Sequence, residues 1–331
     1  MRWQSKAAIL RLLSRTPGGK QCYLAGQRLL GTTRPQPKRD FTRAIELIEM
    51  IRESGQSVRD AVVYEIGTGW HPYTPLAFYL AGARLIETVD VNPWLSRRSA
   101  RTAVAAARPH LNWFANSLEL NLEEIQNRYE RVHQQAGTLN DLLSSMNCRY
   151  TCPGDATCSG LKADTVDFVV SSNVLEHVPE PILKGMATES QRILKPGGLA
   201  VHRFNPGDHY ANDDSRVTTG HFLQFSEEQW QKYGDGLAYH NRLRCPQYSR
   251  IFRDADFLLL IEKTRVDPVV LDQIQGKTLP IHEKFKKFPP EDLAADYMWL
   301  VGMKSSAQNQ NQLQSQGERL TPSMTPQTKT H

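Results

Sequence analysis

The sequence predicts an α/β fold, an open doubly wound parallel sheet with helices on both faces. Three observations carry that expectation. Short apolar runs rich in branched residues alternate with helical patterns along most of the chain. Several of those runs end in an acidic or polar residue, and in such a sheet a ligand lies in the crevice outside the carboxyl ends of the strands. The first run, Ala61 to Ile66, stops abruptly in Gly67-Thr68-Gly69, glycines that let backbone approach a ligand as it turns into a helix over Thr74 to Ala81.

The totals set the frame. With 331 residues, 40% of them hydrophobic, the chain can bury a full core as one large domain or one domain with insertions. The net charge is +5, and its excess is uneven: nine cationic residues from Arg2 to Arg39 precede the first acid, Asp40. Residues 1–37 therefore read as a basic arm, solvated or lying on the domain or near anionic lipid, with a composition that also suits an organelle transit peptide. No apolar run approaches the ~20 residues of a membrane span, and the first thirteen residues lack a signal-peptide core. Five cysteines, an odd number, give no disulfide framework and suit a reducing cytoplasm, the expected location.

Asp40 can cap a helix in which Phe41, Ile45, Ile48 and Ile51 recur at helical spacing, with Gly55 as its stop. That helix either covers the sheet or closes one side of a ligand site. In the first strand Glu65 is an anomaly, a carboxylate among apolar residues that requires a donor or a cation. The second strand, Leu85 to Val91, carries Asp90 at its end, roughly 20 residues beyond the glycines, where doubly wound folds hold ribose hydroxyls. An alanine-rich helix over Trp94 to Ala107 follows, then a helical insertion, Leu118 to Met146. Cys148, Cys152 and Cys158 match neither paired zinc spacings nor an iron–sulfur run and are expected in core or loop.

Pro153-Gly154-Asp155-Ala156 ends a third strand, and Asp164 to Ser171 forms a fourth that runs into Ser172-Asn173-Val174-Leu175-Glu176-His177. Pro181 suits the first turn of the next helix, which Lys195-Pro196-Gly197-Gly198 ends before a fifth strand, Leu199 to Phe204. Asn205 to Asp254 is longer than a sheet connection needs and is expected to be a substrate-recognition insertion. Its Phe222, Phe225, Trp230, Tyr233 and Tyr239 form an aromatic lining or a satellite core. Residues 305–331, rich in Gln, Ser, Asn and Thr, are expected to be disordered.

EIGTG with Asp90, GDA, SSNVLEH and KPGG, in this order across Val62 to Phe204, resemble the class I S-adenosylmethionine-dependent methyltransferases. The resemblance implies a Rossmann-like sheet of seven strands with the last antiparallel, for which Phe257 to Glu262 and Tyr297 to Lys304 supply the remaining two. It implies S-adenosylmethionine as cofactor, with Glu65, Gly67, Thr68 and Gly69 against its methionine part and Asp90 on the ribose. Asp155 with Ala156 would meet the adenine amino group, and Asn173 the sulfonium region. The methyltransferase domain would then occupy residues 38–304, with 205–254 inserted. Departures are Glu65, where Asp is frequent, and Trp70-His71-Pro72 after the second glycine. The third glycine of the dinucleotide fingerprint is missing, which disfavours NAD. GTGWHP, Asp208-His209, His221 to Ser226 and Asn241 to Arg244 further resemble bacterial methyltransferase-domain proteins of glycan and small-molecule tailoring.

Transfer from a sulfonium needs alignment and exclusion of water, and a general base when the acceptor is a hydroxyl. Candidate bases beyond the fourth and fifth strands are His177, His202, Asp208, His209 and His221, with His177 and the adjacent pair Asp208 and His209 foremost. Arg242 and Arg244 offer either a cationic wall or a salt-bridged helix face. The function expected is methylation of a small-molecule or glycan-type acceptor at oxygen, without a metal. A non-catalytic module that keeps the cofactor pocket is the alternative. The basic residues lie in the arm rather than beside the inferred pocket, which argues against nucleic acid.

Overall fold

A computed structural model of the chain describes residues 1–29, 31, 34–234 and 236–305. The expectation of disorder for the C-terminal tail falls, from residue 306 onward, outside the described residues.

Seven strands form one sheet: β1 (Val62–Ile66), β2 (Leu85–Val89), β3 (Cys148–Thr151), β4 (Val166–Ser172), β5 (Leu194–Phe204), β6 (Phe257–Val266) and β7 (Ala295–Lys304). Their order is β3-β2-β1-β4-β5-β7-β6. The first five run parallel, and β7 lies antiparallel between β5 and β6. The chain reverses direction between β1 and β4, so the loops after both strands splay apart and leave a crevice at their carboxyl ends.

All five side chains of β1 are buried because both sheet faces are covered. On one face α3 (Pro37–Glu53), α4 (Tyr73–Leu80) and α5 (Arg97–Ala107) pack Phe41, Ile48 and Phe78 onto Val63, Ile86 and Val170. On the other, α9 (Glu180–Ile193) and α11 (Cys245–Asp254) pack Leu183, Tyr248 and Phe252 onto Tyr64, Val169 and Ala200. The alternation of Val63 with Val62 and Tyr64 follows from the two-residue period of a strand.

Helix α6 (Leu111–Ser117) precedes the predicted helical insertion, and the insertion, Leu118 to Met146, is broken into α7 (Leu122–His133) and α8 (Leu139–Ser144). Local chemistry makes the breaks: Glu119 takes a left-handed φ of 54°, and the Asn121 and Thr138 side chains cap the two following helices. Helix α3 starts at Pro37, three residues before Asp40, since proline suits a first turn that needs no N–H. The five cysteines are unpaired thiols, with Cys148 in the core.

The N-terminal arm does not stand off in solvent. It folds into α1 (Trp3–Arg15) and α2 (Gly19–Leu29), and Trp3 is buried in a third apolar cluster with Tyr210, Phe222, Trp230 and Phe285. The Trp3 backbone N–H donates to Asp214 Oδ2 at 2.9 Å, and Lys6 pairs with Asp213. Of the two readings offered for the inserted aromatics, Phe222, Phe225, Trp230 and Tyr233 take the satellite core, completed by residues from both ends of the sequence, while Tyr239 stands outside it.

Candidate functional site

One cavity of about 860 Å³ opens at the carboxyl edge of β1, β2, β3 and β4. The strand-end loops form its floor, with Glu65, Gly67, Thr68, Gly69, Asp90, Asp155, Ala156 and Asn173 all on the lining. Asp90 and Asp155 thus face one space that packed side chains do not fill.

Each of these residues is held by local chemistry. A side chain at Gly67 would place its Cβ 2.4 Å from Val174 Cγ2, and the residue has φ +86°, so the loop after β4 can pack there only against glycine. Gly69, at φ +67°, has open space where a Cβ would stand, and its N–H donates to Asp90 Oδ2 at 2.9 Å. Asp90 Oδ1 accepts from Asn92 N at 2.9 Å, which turns the carboxylate across the mouth of the glycine loop. Burial raises the Asp90 pKa, partly offset by these backbone donors. Asp155 Oδ1 is pinned by the N–H and hydroxyl of Thr157 at 2.8 and 2.7 Å, hydrogen bonds that lower its pKa.

Glu65 finds a donor rather than a cation. Its Oε2 accepts from the Thr88 hydroxyl at 2.6 Å, and the Thr88 oxygen in turn contacts the Thr68 hydroxyl at 2.5 Å. Burial pushes Glu65 up to about 7 against the pull of Thr88 and Thr74. Asn173, in the left-handed region at φ 56°, has its side chain fully engaged. Oδ1 accepts from Arg203 at 2.6 Å and from the Tyr297 hydroxyl at 2.9 Å, while Nδ2 donates to Glu176 Oε1 at 3.2 Å. Arg203 is buried and also donates to Glu46 at 2.8 Å, which accepts from Trp299 Nε1 at 2.7 Å.

The remaining walls come from elsewhere. Lys20 and Tyr23 of α2, Arg39, Asp40 and Arg43 of α3, and Leu237 and Tyr239 of the inserted segment line the cavity. Lys20 donates to Asn92 Oδ1 and lies 5.6 Å from the centre of the Trp94 ring, so the arm is seated on the loop after β2. Helix α3 thus does both things its spacing allows, covering the sheet and closing one side of the cavity, whereas the basic arm, expected away from the pocket, brings Lys20 to its lining and α3 brings Arg39 and Arg43.

The candidate bases separate. His177 is exposed on the cavity wall, and its Nδ1 lies 3.2 Å from the Tyr239 carbonyl. Because a carbonyl only accepts, Nδ1 is the donor in this contact, and in the neutral imidazole the lone pair is then on Nε2. Asp208 and His209 do not line the cavity and do not act as an adjacent pair. Asp208 is buried, accepts from Tyr210 N at 2.8 Å, and partners His221 Nδ1 at 2.9 Å rather than His209. His209 turns instead toward His177 and His240, with ring centres 4.9 and 4.3 Å away, and burial drives its pKa down to about 3. His202, on β5, is buried against Phe252 and meets the Ser171 hydroxyl of β4 at 2.8 Å. Arg242 and Arg244 form no cationic wall. Buried, they donate to the carbonyls of Phe222, Phe225 and Ser226 and of Leu293 and Pro206, tying the inserted segment together.

Comparison with known proteins adds an independent line. Residues 34–257 match the family model described as a methyltransferase domain. The chain is similar to an uncharacterized methyltransferase of Mycobacterium bovis, 56% identical over 41 residues, a stretch covering 12% of this chain and 15% of that protein. An uncharacterized methyltransferase of Mycobacterium tuberculosis is 58% identical over 38 residues, 12% of this chain and 14% of its own length. The match therefore spans only about 15% of the length of these curated relatives. Among solved structures, an S-adenosylmethionine-dependent methyltransferase from Mesorhizobium loti aligns with a TM-score of 0.42 at 12% identity, covering 77% of this chain and 96% of that one. Phosphoethanolamine N-methyltransferase 2 of Haemonchus contortus, in complex with S-adenosyl-L-methionine, aligns at 0.43 and 14%, covering 79% and 52%.

Proposed function

We propose that the chain, which belongs to the methyltransferase-domain family, uses S-adenosylmethionine to methylate a small-molecule or glycan-type acceptor at oxygen. The observation that carries the reading is the shared cavity: a glycine turn and two carboxylates from separate strands face one space of about 860 Å³. That volume lies toward the upper end of the roughly 300–1,000 Å³ of small-molecule sites, which supports room for an acceptor beside a nucleoside donor.

The residues fit the cofactor by their chemistry. Open space at Gly69 admits the methionine part against backbone, the Asp90 carboxylate accepts from ribose hydroxyls, and Asp155 accepts from the adenine amino group. Glu65, Thr68 and Asn173 support the glycine turn and the loop after β4 through the contacts with Thr88, Arg203 and Tyr297. When bound, S-adenosylmethionine supplies a methyl group already activated on a sulfonium.

The chain's own contribution is then alignment, exclusion of water and proton management. Helix α2 and the segment carrying Leu237 and Tyr239 close the outer wall. His177 supports an oxygen acceptor, because its Nε2 lone pair on the cavity wall can take a hydroxyl proton while Tyr239 fixes the tautomer. Calorimetric titration with S-adenosylhomocysteine tests the donor half: binding in the micromolar range is expected, and no heat at high micromolar ligand sinks it. Methyl transfer from labelled donor onto a panel of hydroxylated small molecules and oligosaccharides, lost in His177→Ala, tests the acceptor half. Label appearing on nitrogen instead would overturn the choice of oxygen.

A further inference from the structure

His177 is one member of a cluster of polar side chains whose other members, Glu176, His209 and His240, have no part in the proton transfer proposed above. Atoms of Glu176, His177 and His209 that can ligate a metal lie within 4.8 Å of one another. The ring of buried His240 stands 4.3 Å from that of His209 and 5.6 Å from that of His177. Glu176 is fully buried, and His209 and His240 are largely so, yet the cluster leaves ligating atoms without partners. Among the described residues, Glu176 Oε2, His209 Nε2 and both ring nitrogens of His240 make no hydrogen bond of ordinary geometry, the backbone of Asn205 being the polar group that approaches the two imidazoles. A protein seldom buries so many polar atoms unsatisfied in one place.

From this geometry we infer that Glu176, His177 and His209 form a binding site for one divalent transition-metal ion, with His240 on its buried side. The set of two imidazoles and one carboxylate is that of catalytic zinc and of non-haem iron, and imidazole ligands argue against magnesium or calcium. Tetrahedral ligands at roughly 2.0–2.2 Å from a common ion stand about 3.3–3.6 Å apart, so atoms that lie within 4.8 Å of one another must draw in by up to about 1.5 Å when the ion binds.

The supporting contacts are those a metal site requires. His177 Nδ1 faces the Tyr239 carbonyl, which leaves Nε2 to ligate. Glu176 Oε1 is held by Asn173 Nδ2 and Asn205 N, both at 3.2 Å, which aims Oε2 inward. Burial keeps His209 and His240 neutral, the form that binds metal. Because His177 is on the cavity wall, the ion would sit at the boundary with the acceptor space, and while it is bound Nε2 cannot also take a hydroxyl proton, so the metal-loaded form and the base-active form exclude one another. The binding itself does not depend on the methyl-transfer reading.

The test uses the full chain, with any affinity tag removed, stripped by chelator and titrated with Co²⁺ and then Zn²⁺. One equivalent of Co²⁺ per chain is expected, with visible ligand-field absorption that Zn²⁺ abolishes by displacement. Glu176→Gln and His209→Gln are each expected to weaken Zn²⁺ binding at least 100-fold, and His133→Gln, on α7, to leave it unchanged. Should the buried variants not fold by circular dichroism, His177→Gln, at an exposed position, takes their place with the same expected loss. Failure of the wild-type chain to bind either ion at millimolar concentration overturns the inference. So does Zn²⁺ binding that survives in the folded variants.

Discussion

The floor and the outer wall of the cavity are built in opposite ways. The floor is short loops at four adjacent strand ends, where Asp90 is held by Gly69 and Asn92 and Asp155 by Thr157, all contacts within about one loop of each other in space. The outer wall is assembled from three distant stretches: the arm with Lys20 and Tyr23, α3 with Arg39 and Arg43, and the inserted segment with Tyr239. Its anchor is Trp3, wedged among Tyr210, His221, Phe225 and Tyr233 with ring centres 4.6 to 6.0 Å away. The floor is held by hydrogen bonds between neighbouring strand-end loops, whereas the arm and inserted segment of the wall are held by a separate aromatic cluster together with the Trp3–Asp214, Lys6–Asp213 and Lys20–Asn92 contacts. Such a division lets a family keep one donor site while the acceptor side varies.

The largest effect that tests this contrast is Trp3→Ala. Truncating a buried tryptophan costs about 3–5 kcal/mol where the site cannot collapse. Limited proteolysis is expected to cut near Thr16 to Gly19, while the sheet retains its protection. Simultaneous loss of the whole fold would break the distinction between floor and wall.

The next concerns Glu65 on the floor. Its folded pKa is raised to about 7, above the carboxylate value of an unfolded chain, so the folded form binds the extra proton. Stability of the cofactor-free protein is therefore present in full at low pH, falls as pH rises from the unfolded value through about 7, and is flat above. Glu65→Gln is expected to flatten this window and to be more stable at pH 8 by about 3 kcal/mol, read from urea melts at several pH values. An unchanged slope would show that Glu65 is not the group responsible.

Asp90→Ala then separates the two regions by ligand. Loss of charge-assisted hydrogen bonds to ribose hydroxyls should weaken S-adenosylhomocysteine about 100-fold, or about 2.7 kcal/mol. Calorimetry showing less than a fivefold change would remove Asp90 from the donor site. Lys20→Ala is the smallest test. Its exposed contact with Asn92 is worth a few tenths of a kcal/mol, so a two- to threefold loss of the same affinity is expected. A tenfold loss would make the arm part of the donor site rather than a wall above it.

Much of the floor was legible because its signals are local. A branched run ending in glycines, an acid after the second strand and GDA after the third each depend on neighbours in sequence, and chain order alone sets them at one sheet edge. The side-chain engagement of Asn173 was not legible, since its partners Arg203 and Tyr297 come from β5 and β7. Nor was the role of Asp208. Adjacency suggested His209 as its partner, but a short 3-10 turn points the two side chains apart and gives Asp208 to His221.

The amino-acid sequence by itself determined the sheet, the order of its strands' chemistry and the family, because periodicity and turn residues act over a few positions. Tertiary structure decided what the histidines and the arm do. His177, His209 and His240 meet from three separate segments, and Trp3 finds its cluster more than two hundred residues away, contacts whose energy comes from burial that no local pattern encodes.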